Sequence, residues 1–300
     1  MQGSFAYRHS GLTVASAIAL PEWEAFAIED ASCPDVAITI ADNPPPIFAE
    51  GSEVTVPDGR LRFAIPGIGG WEIVGGHAIS IFPSLAADPA ELRLFTLGSA
   101  WAALGYQRGF AMWHGSCVAY EGRAVLMCGA AGAGKSTLAA ALVDRGASLV
   151  ADDLSRAAPS AEGAVIYPSS TRIKLWREAM ERLGWGDRQI GRDWMREDKL
   201  HCAAGSLARD AAPLRLHAII VLDEGDAEAT RRLKGSEALS AVMEGTLYRP
   251  QMLDALDGWG AQGALAASIV AATPVYRLTR PKDFAALDQT CAVIERLTAT

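Results

Sequence analysis

The sequence predicts an α/β fold: a β-rich N-terminal domain over residues 1–95, then a domain over 96–300 in which strands and helices alternate. Three observations carry that prediction. Short apolar runs punctuated by Gly and Pro occupy the first 85 residues. A Gly-rich loop near residue 130 stands between an apolar run and an Ala-rich segment. Beyond it, strand-length apolar runs alternate with segments of helical periodicity to the end of the chain.

In the N-terminal part, Val36-Ala-Ile-Thr-Ile40 reads as a strand before the turn-forming Asp42-Asn-Pro-Pro-Pro46, and residues 60–65 form another run that stops at Pro66-Gly67. Residues 71–74 and 77–82 flank Gly75-Gly76, a two-residue hairpin turn whose positive φ angles suit glycine. These runs predict an antiparallel module with the Pro-rich stretch as a loop inside it. From 89 to 108, Leu92, Phe95, Ala100, Trp101 and Leu104 recur at helical spacing. The second part predicts a strand ending at Cys128, a helix from Lys135 and a strand at 148–151. It continues with a strand at 214–222, helices near 236–245 and 258–272, a strand at 275–278 and a last helix from about Phe284.

Composition excludes several classes of function. Half of the 300 residues are hydrophobic and 21% are charged, the balance of a globular protein, with a net charge of -8. No Lys/Arg cluster offers the basic footprint of a nucleic-acid binder. Apolar stretches are broken well short of the roughly 18 residues a membrane span needs. The five cysteines are odd in number and far apart, which predicts neither a disulfide framework nor a zinc site and fits a reducing compartment. Cys117 and Cys128 lie in apolar runs and read as small core residues. With no charged-then-apolar start, the expectation is a cytoplasmic protein without membrane or nucleic-acid partners. A homo-oligomer is left open.

The chemistry-bearing motif is Gly129-Ala-Ala-Gly-Ala-Gly-Lys-Ser136, followed by Thr137-Leu-Ala-Ala-Ala-Leu-Val143. This is the G-x-x-x-x-G-K-[ST] P-loop pattern in its strand-before, helix-after setting. Gly129, Gly132 and Gly134 let the backbone curl so that its N–H groups, including those of Ala130, Ala131 and Ala133, turn toward phosphate. Lys135 is expected at the β- and γ-phosphates, the Ser136 hydroxyl on Mg²⁺, and Thr137 in the first helical turn, where the dipole favours an anion. Val150-Ala-Asp-Asp153 ends the next strand; there Asp152 is assigned as the catalytic base and Asp153 to the metal, with their order left open. Glu121-Gly122 reads as a hairpin turn in which paired residue numbers sum to 243. That register sets His114 opposite Gly129, at the mouth of the phosphate site.

His114-Gly, the loop ending in Lys135-Ser136 and the Ala-Asp-Asp at 151–153, at these spacings, resemble the catalytic domain of bacterial HPr kinase/phosphorylase. The resemblance implies an HPr-kinase-like P-loop domain that binds ATP and Mg²⁺, with His114 and Lys135 on phosphate, Ser136 and one aspartate on the metal, and Asp152 as acid/base. A weaker similarity runs along nearly the whole chain. Tyr7-x-x-x-Gly-Leu-x-x-x-Ser16, Ala19-Leu-Pro21, Gln107-Arg-Gly109, Arg172-Ile-Lys-Leu-Trp176 and Val275-Tyr-Arg-Leu-Thr-Arg-Pro281 are similar to the divergent branch found with lasso-peptide biosynthesis genes. Some of that branch phosphorylate a serine at the C-terminal end of a precursor peptide. The chain departs from HPr kinase/phosphorylase after the aspartates, where Tyr167-Pro-Ser-Ser-Thr-Arg-Ile-Lys-Leu-Trp176 replaces a Gly-rich signature and its metal-assisting glutamate. With that departure, the resemblance does not support HPr as substrate or the reverse phosphorolysis. In the replacement and beyond it, Arg172, Lys174, Lys199 and Arg249 are cations that would meet nucleotide or acidic substrate, or else sit as solvated surface charge. The expected function is an ATP-dependent serine kinase acting on a peptide or small protein. The alternatives are a small-molecule kinase and a nucleotide-gated binding module without phosphotransfer.

Overall fold

The structure, a computed structural model, describes residues 5–42, 54–55, 59–193, 196–205 and 211–299. The Pro-rich turn expected at 43–46 lies outside them. Contacts gather the chain into two compact units, Met1–Met112 with Tyr248–Gln262, and Trp113–Leu247 with Gly263–Thr300.

In the first unit, β1 (Phe5–His9), β2 (Leu12–Ser16), β3 (Val36–Ile40), β4 (Val54–Thr55), β5 (Leu61–Ile65), β6 (Gly69–Val74) and β7 (Ala78–Pro83) form one sheet in the order β1-β2-β3-β7-β6-β5-β4. Gly75 and Gly76 take φ of 57° and 69° and close the β6–β7 hairpin as their sequence requires. The sheet is mixed and not wholly antiparallel as expected, since β2 pairs β3, and β3 pairs β7, in parallel. The cause is the connection between β2 and β3. It is long enough to hold the 3-10 helix Pro21–Phe26 and to bring the chain back to the start of the sheet.

The helical stretch expected at 89–108 is present as α1 (Pro89–Phe95) and α2 (Trp101–Gln107), joined through a π-helical turn at Thr96–Ala100. Asp88 caps it by accepting from the Ala90 N–H at 2.7 Å. The π-turn carries Thr96 into the core, where its hydroxyl accepts from the Trp71 indole N–H at 2.9 Å, and Trp71 in turn stacks on Phe63. Replacing Thr96 by Val keeps the volume and orphans that buried donor. It is expected to lower the unfolding free energy by about 1–3 kcal/mol in chemical denaturation, with the denaturant slope unchanged.

In the second part of the chain come β8 (Ala111–His114), β9 (Ser116–Tyr120), β10 (Arg123–Gly129), β11 (Ser148–Ala151), β12 (Leu154–Ser160) and β13 (Gly163–Ile166). They are followed by β14 (Arg172–Trp176), β15 (Gln189–Arg192), β16 (Lys199–Ala203), β17 (Leu214–Glu224), β18 (Ala229–Leu233) and β19 (Val275–Arg280). Among the described residues they make a nine-stranded sheet along β11-β9-β10-β17-β13-β12-β8, with β19 paired to β17 and β18 to β19, and a three-stranded sheet β14-β16-β15. The helices are α3 (Lys135–Asp144), α4 (Arg177–Arg182), α5 (Gly235–Thr246), α6 (Pro250–Ala255), α7 (Trp259–Ala272) and α8 (Leu287–Ala299). Of these, α6 stands where the sequence shows only a break before Pro250. Proline at the first helical position is preorganised there, and Arg249 enters it with φ 49°.

Direction in the large sheet is what positions the site. Strands β10, β17 and β19 are parallel. Strand β11 is antiparallel to β9, itself antiparallel to β10, so β11 also runs with β10. Their carboxyl ends therefore share one edge and deliver Gly129, Asp152 and Arg280 to it. Helix α3 buries Leu138, Ala139 and Leu142 in a core that also contains Val118, Val125, Met127 and Ile173. Cys117 and Cys128 are fully buried in their strands, the core role their neighbours predict. No helix among the described residues is long and apolar enough to cross a membrane.

Candidate functional site

Gly129 ends β10 with φ 134°, and a Cβ there would lie 2.6 Å from the Leu222 carbonyl oxygen of β17, so only glycine fits. The loop then rises into solvent through Ala130, Ala131 and Gly132 and turns at Gly134, φ 82°, the residue before α3. Lys135, buried in the first turn, folds its ammonium back over the loop and donates to the Gly129 and Ala130 carbonyls at 2.9 and 3.0 Å. Burial lowers its pKa, with Cys128, Asp152 and Asp153 opposing. Ser136 and Thr137 follow, half-buried, in the same turn.

Asp152, immediately after β11, is 8% exposed and fully engaged. Its Oδ1 accepts from the Ser136 hydroxyl at 2.9 Å and from the Ser116 hydroxyl at 2.6 Å, and its Oδ2 accepts from the Lys174 main-chain N–H at 2.9 Å. Burial and then the Asp153 charge raise this carboxyl, and the three hydrogen bonds oppose them. Asp153, in the left-handed region at φ 72°, makes a different contact, pairing with the Lys174 ammonium at 2.5 Å. Burial would raise this carboxyl, but the Lys174 and Lys199 ammoniums outweigh it and hold it below the usual carboxylate range. Two adjacent carboxylates are thus set apart: one locked to the loop serine, the other ionised beside cations.

The register of the β9–β10 hairpin is the one expected, from Arg123 against Tyr120 to Met127 against Ser116. It stops there, and His114 does not reach a position opposite Gly129. At Gly115 a Cβ would come within 2.7 Å of the Met127 carbonyl, and the Gly115 N–H donates to the Asp153 carbonyl at 3.2 Å. The chain leaves the pairing at this contact and His114 lies beside Asp153 instead. Burial lowers the imidazole pKa; the Asp153 charge opposes this and the Lys135 ammonium reinforces it.

Of the four additional cations, Lys174 and Lys199 act on Asp153, from paired strands in which Lys199 stands opposite Trp176. Arg172 lies on the same strand as Lys174, and burial lowers its pKa. Arg249 belongs to the other compact unit. Two contributors were not singled out in the sequence. Ser116 was within reach of the hairpin register, one strand from the loop. The Lys174 main-chain donor had no local signal, because a peptide N–H is the same in every residue.

The arrangement sets a Gly-rich loop capped by one ammonium next to a hydroxyl–carboxylate pair of hard oxygen donors. Among the described residues no three His, Cys, Asp or Glu converge on one point, so protein side chains alone build no metal cage. Ser136 and Asp152 would supply the small protein share that suits a Mg²⁺ ion, whose remaining ligands are ordinarily phosphate oxygens and water.

Residues 109–184 match the family model of the HPr Serine kinase C-terminal domain. The matched stretch contains His114, the whole Gly-rich loop, both aspartates and Lys174, so the part of the chain that builds this site is HPr-kinase-like. Among solved structures, the Hpr(Ser) kinase/phosphatase from Coxiella burnetii is similar at 16% identity, with a TM-score of 0.33, over 63% of this chain and 97% of that one. No curated protein matches.

Proposed function

We propose that this chain is an ATP·Mg²⁺-dependent kinase that phosphorylates a serine near the C-terminus of a peptide or small protein, a lasso-peptide precursor being the substrate its wider resemblance suggests. The observation that carries the reading is the Ser136–Asp152 hydrogen bond at 2.9 Å, with a second, ionised carboxylate one residue away. ATP·Mg²⁺, when bound, supplies the phosphoryl group together with a cation that offsets its charge.

The hydrogen bonds support an order opposite to the first assignment from sequence. Asp152 shares its Oδ1 with the Ser136 hydroxyl, and we put it with Ser136 on the metal side. Asp153 has a carboxylate paired with the Lys174 ammonium, beside His114, and we make it the base that takes the serine proton. Gly129, Ala130, Ala131, Gly132, Gly134 and Thr137 orient phosphate through main-chain N–H groups, Ala133 instead ties the loop by donating its N–H to the Ala130 carbonyl at 3.1 Å, Lys135 adds the charge, and His114 positions Asp153. A cytoplasmic setting, expected from the cysteine usage, supplies ATP.

The test is transfer of label from γ-labelled ATP to serine-terminated peptides encoded beside the gene, with Ser→Ala peptides as controls. Transfer that needs the serine and stops when EDTA removes the divalent cation is the expected result. Tight ATP binding with no labelled peptide would instead favour a small-molecule kinase or a nucleotide-gated binder.

A further inference from the structure

Strand β19 ends beside the Gly-rich loop, on the opposite side of β10 from β11 in sheet order. Its last residue, Arg280, is 6% exposed. Nη2 donates to the Ala133 carbonyl at 2.9 Å and Nη1 to the Pro281 carbonyl at 3.1 Å. A Cβ on Gly134 would stand 2.4 Å from Nη2, so the guanidinium fills the space that glycine leaves.

Among the described residues no carboxylate comes within ion-pair distance of Arg280, and its buried Nε has no hydrogen-bond partner. Glu224, on the neighbouring strand and exposed, acts on it only through space. A cation held in the interior normally has its charge compensated nearby. Here the guanidinium lies against the loop proposed above to hold phosphate. Two residues on, the exposed Lys282 ammonium is 3.8 Å from where a Cβ of Gly132 would be.

We infer that Arg280 and Lys282 form a second cationic wall of the nucleotide site, across the loop from Lys135. Arg280 is a positioning residue: it braces the Ala133–Gly134 turn and its charge is balanced by nucleotide phosphate. Lys282 contacts a phosphate oxygen directly. The inference rests on the nucleotide reading given above and assigns that site residues far from the loop in sequence.

Isothermal titration of the full chain with ATP in excess Mg²⁺ tests it, with Lys282→Gln and Lys282→Arg as the variants, because Lys282 is exposed and neither change threatens the fold. Lys282→Gln is expected to weaken ATP by about tenfold and to reduce the salt dependence of binding, and Lys282→Arg to restore most of the affinity. If wild type binds ATP and Lys282→Gln binds within about twofold of it, the second wall is wrong while the nucleotide site stands. Equal losses in Lys282→Gln and Lys282→Arg would also overturn it, since charge would then not be what matters. A wild-type chain that binds no ATP overturns the nucleotide reading itself.

Discussion

Asp153→Asn is expected to slow phosphotransfer by about 10²–10⁴-fold and to leave ATP·Mg²⁺ affinity close to that of wild type. The amide keeps the shape of the side chain and loses the negative charge that takes the serine proton. Asp153 makes no hydrogen bond to the loop serine, so the nucleotide-binding side should be little disturbed. Asp152→Asn is expected to behave differently. Its carboxylate holds the Ser136 and Ser116 hydroxyls and the Lys174 N–H together, so the amide should lose Mg²⁺-dependent ATP affinity along with rate. Single-turnover kinetics and a Mg²⁺ titration of ATP binding separate the two patterns. The reverse outcome, Asp152→Asn failing in chemistry with binding intact, would return the base to Asp152.

A second large effect is expected in the loop glycines, and it should grade with geometry. All three have positive φ, which costs a substituted residue about 1–3 kcal/mol in itself. Gly132→Ala should show little beyond that, since its Cβ would meet only the mobile end of Lys282 at 3.8 Å. Gly134→Ala adds a collision at 2.4 Å with a guanidinium that is buried and bonded on both sides, so the loop must reshape. ATP affinity should fall by more than about tenfold while the melting temperature moves by a few degrees. Gly129→Ala meets the Leu222 carbonyl at 2.6 Å, main chain of a central strand that has no room to shift. It should lower the melting temperature more than either of the others. If melting temperature and ATP affinity fall equally in all three, the contacts at Gly129 and Gly134 do not set the loop's shape.

Much of the local structure is legible because it depends on neighbours in the chain. The Gly75-Gly76 and Glu121-Gly122 turns, the strand ending at Gly129 and the helix starting at Lys135 each follow from backbone preferences and apolar spacing over a few residues. The register of β9 on β10 could be counted because a two-residue turn joins them. The same counting fails at Gly115, where the Met127 carbonyl closes in and Asp153, a residue distant in sequence, takes the hydrogen bond.

Sequence alone therefore determined that a Gly-rich loop lies between a strand and a helix and that two aspartates stand at the end of the next strand after that helix. Tertiary structure decided which aspartate meets Ser136, that His114 belongs beside Asp153, that Lys174 serves both carboxylates, and that Arg280 sits under Gly134. The division has a physical reason. Turn and helix preferences act through φ and ψ of adjacent residues, whereas strand order is set by burial of whole faces, and only strand order brings residues 116, 152 and 280 to one edge of the large sheet, with Lys174 reaching Asp152 from the three-stranded sheet.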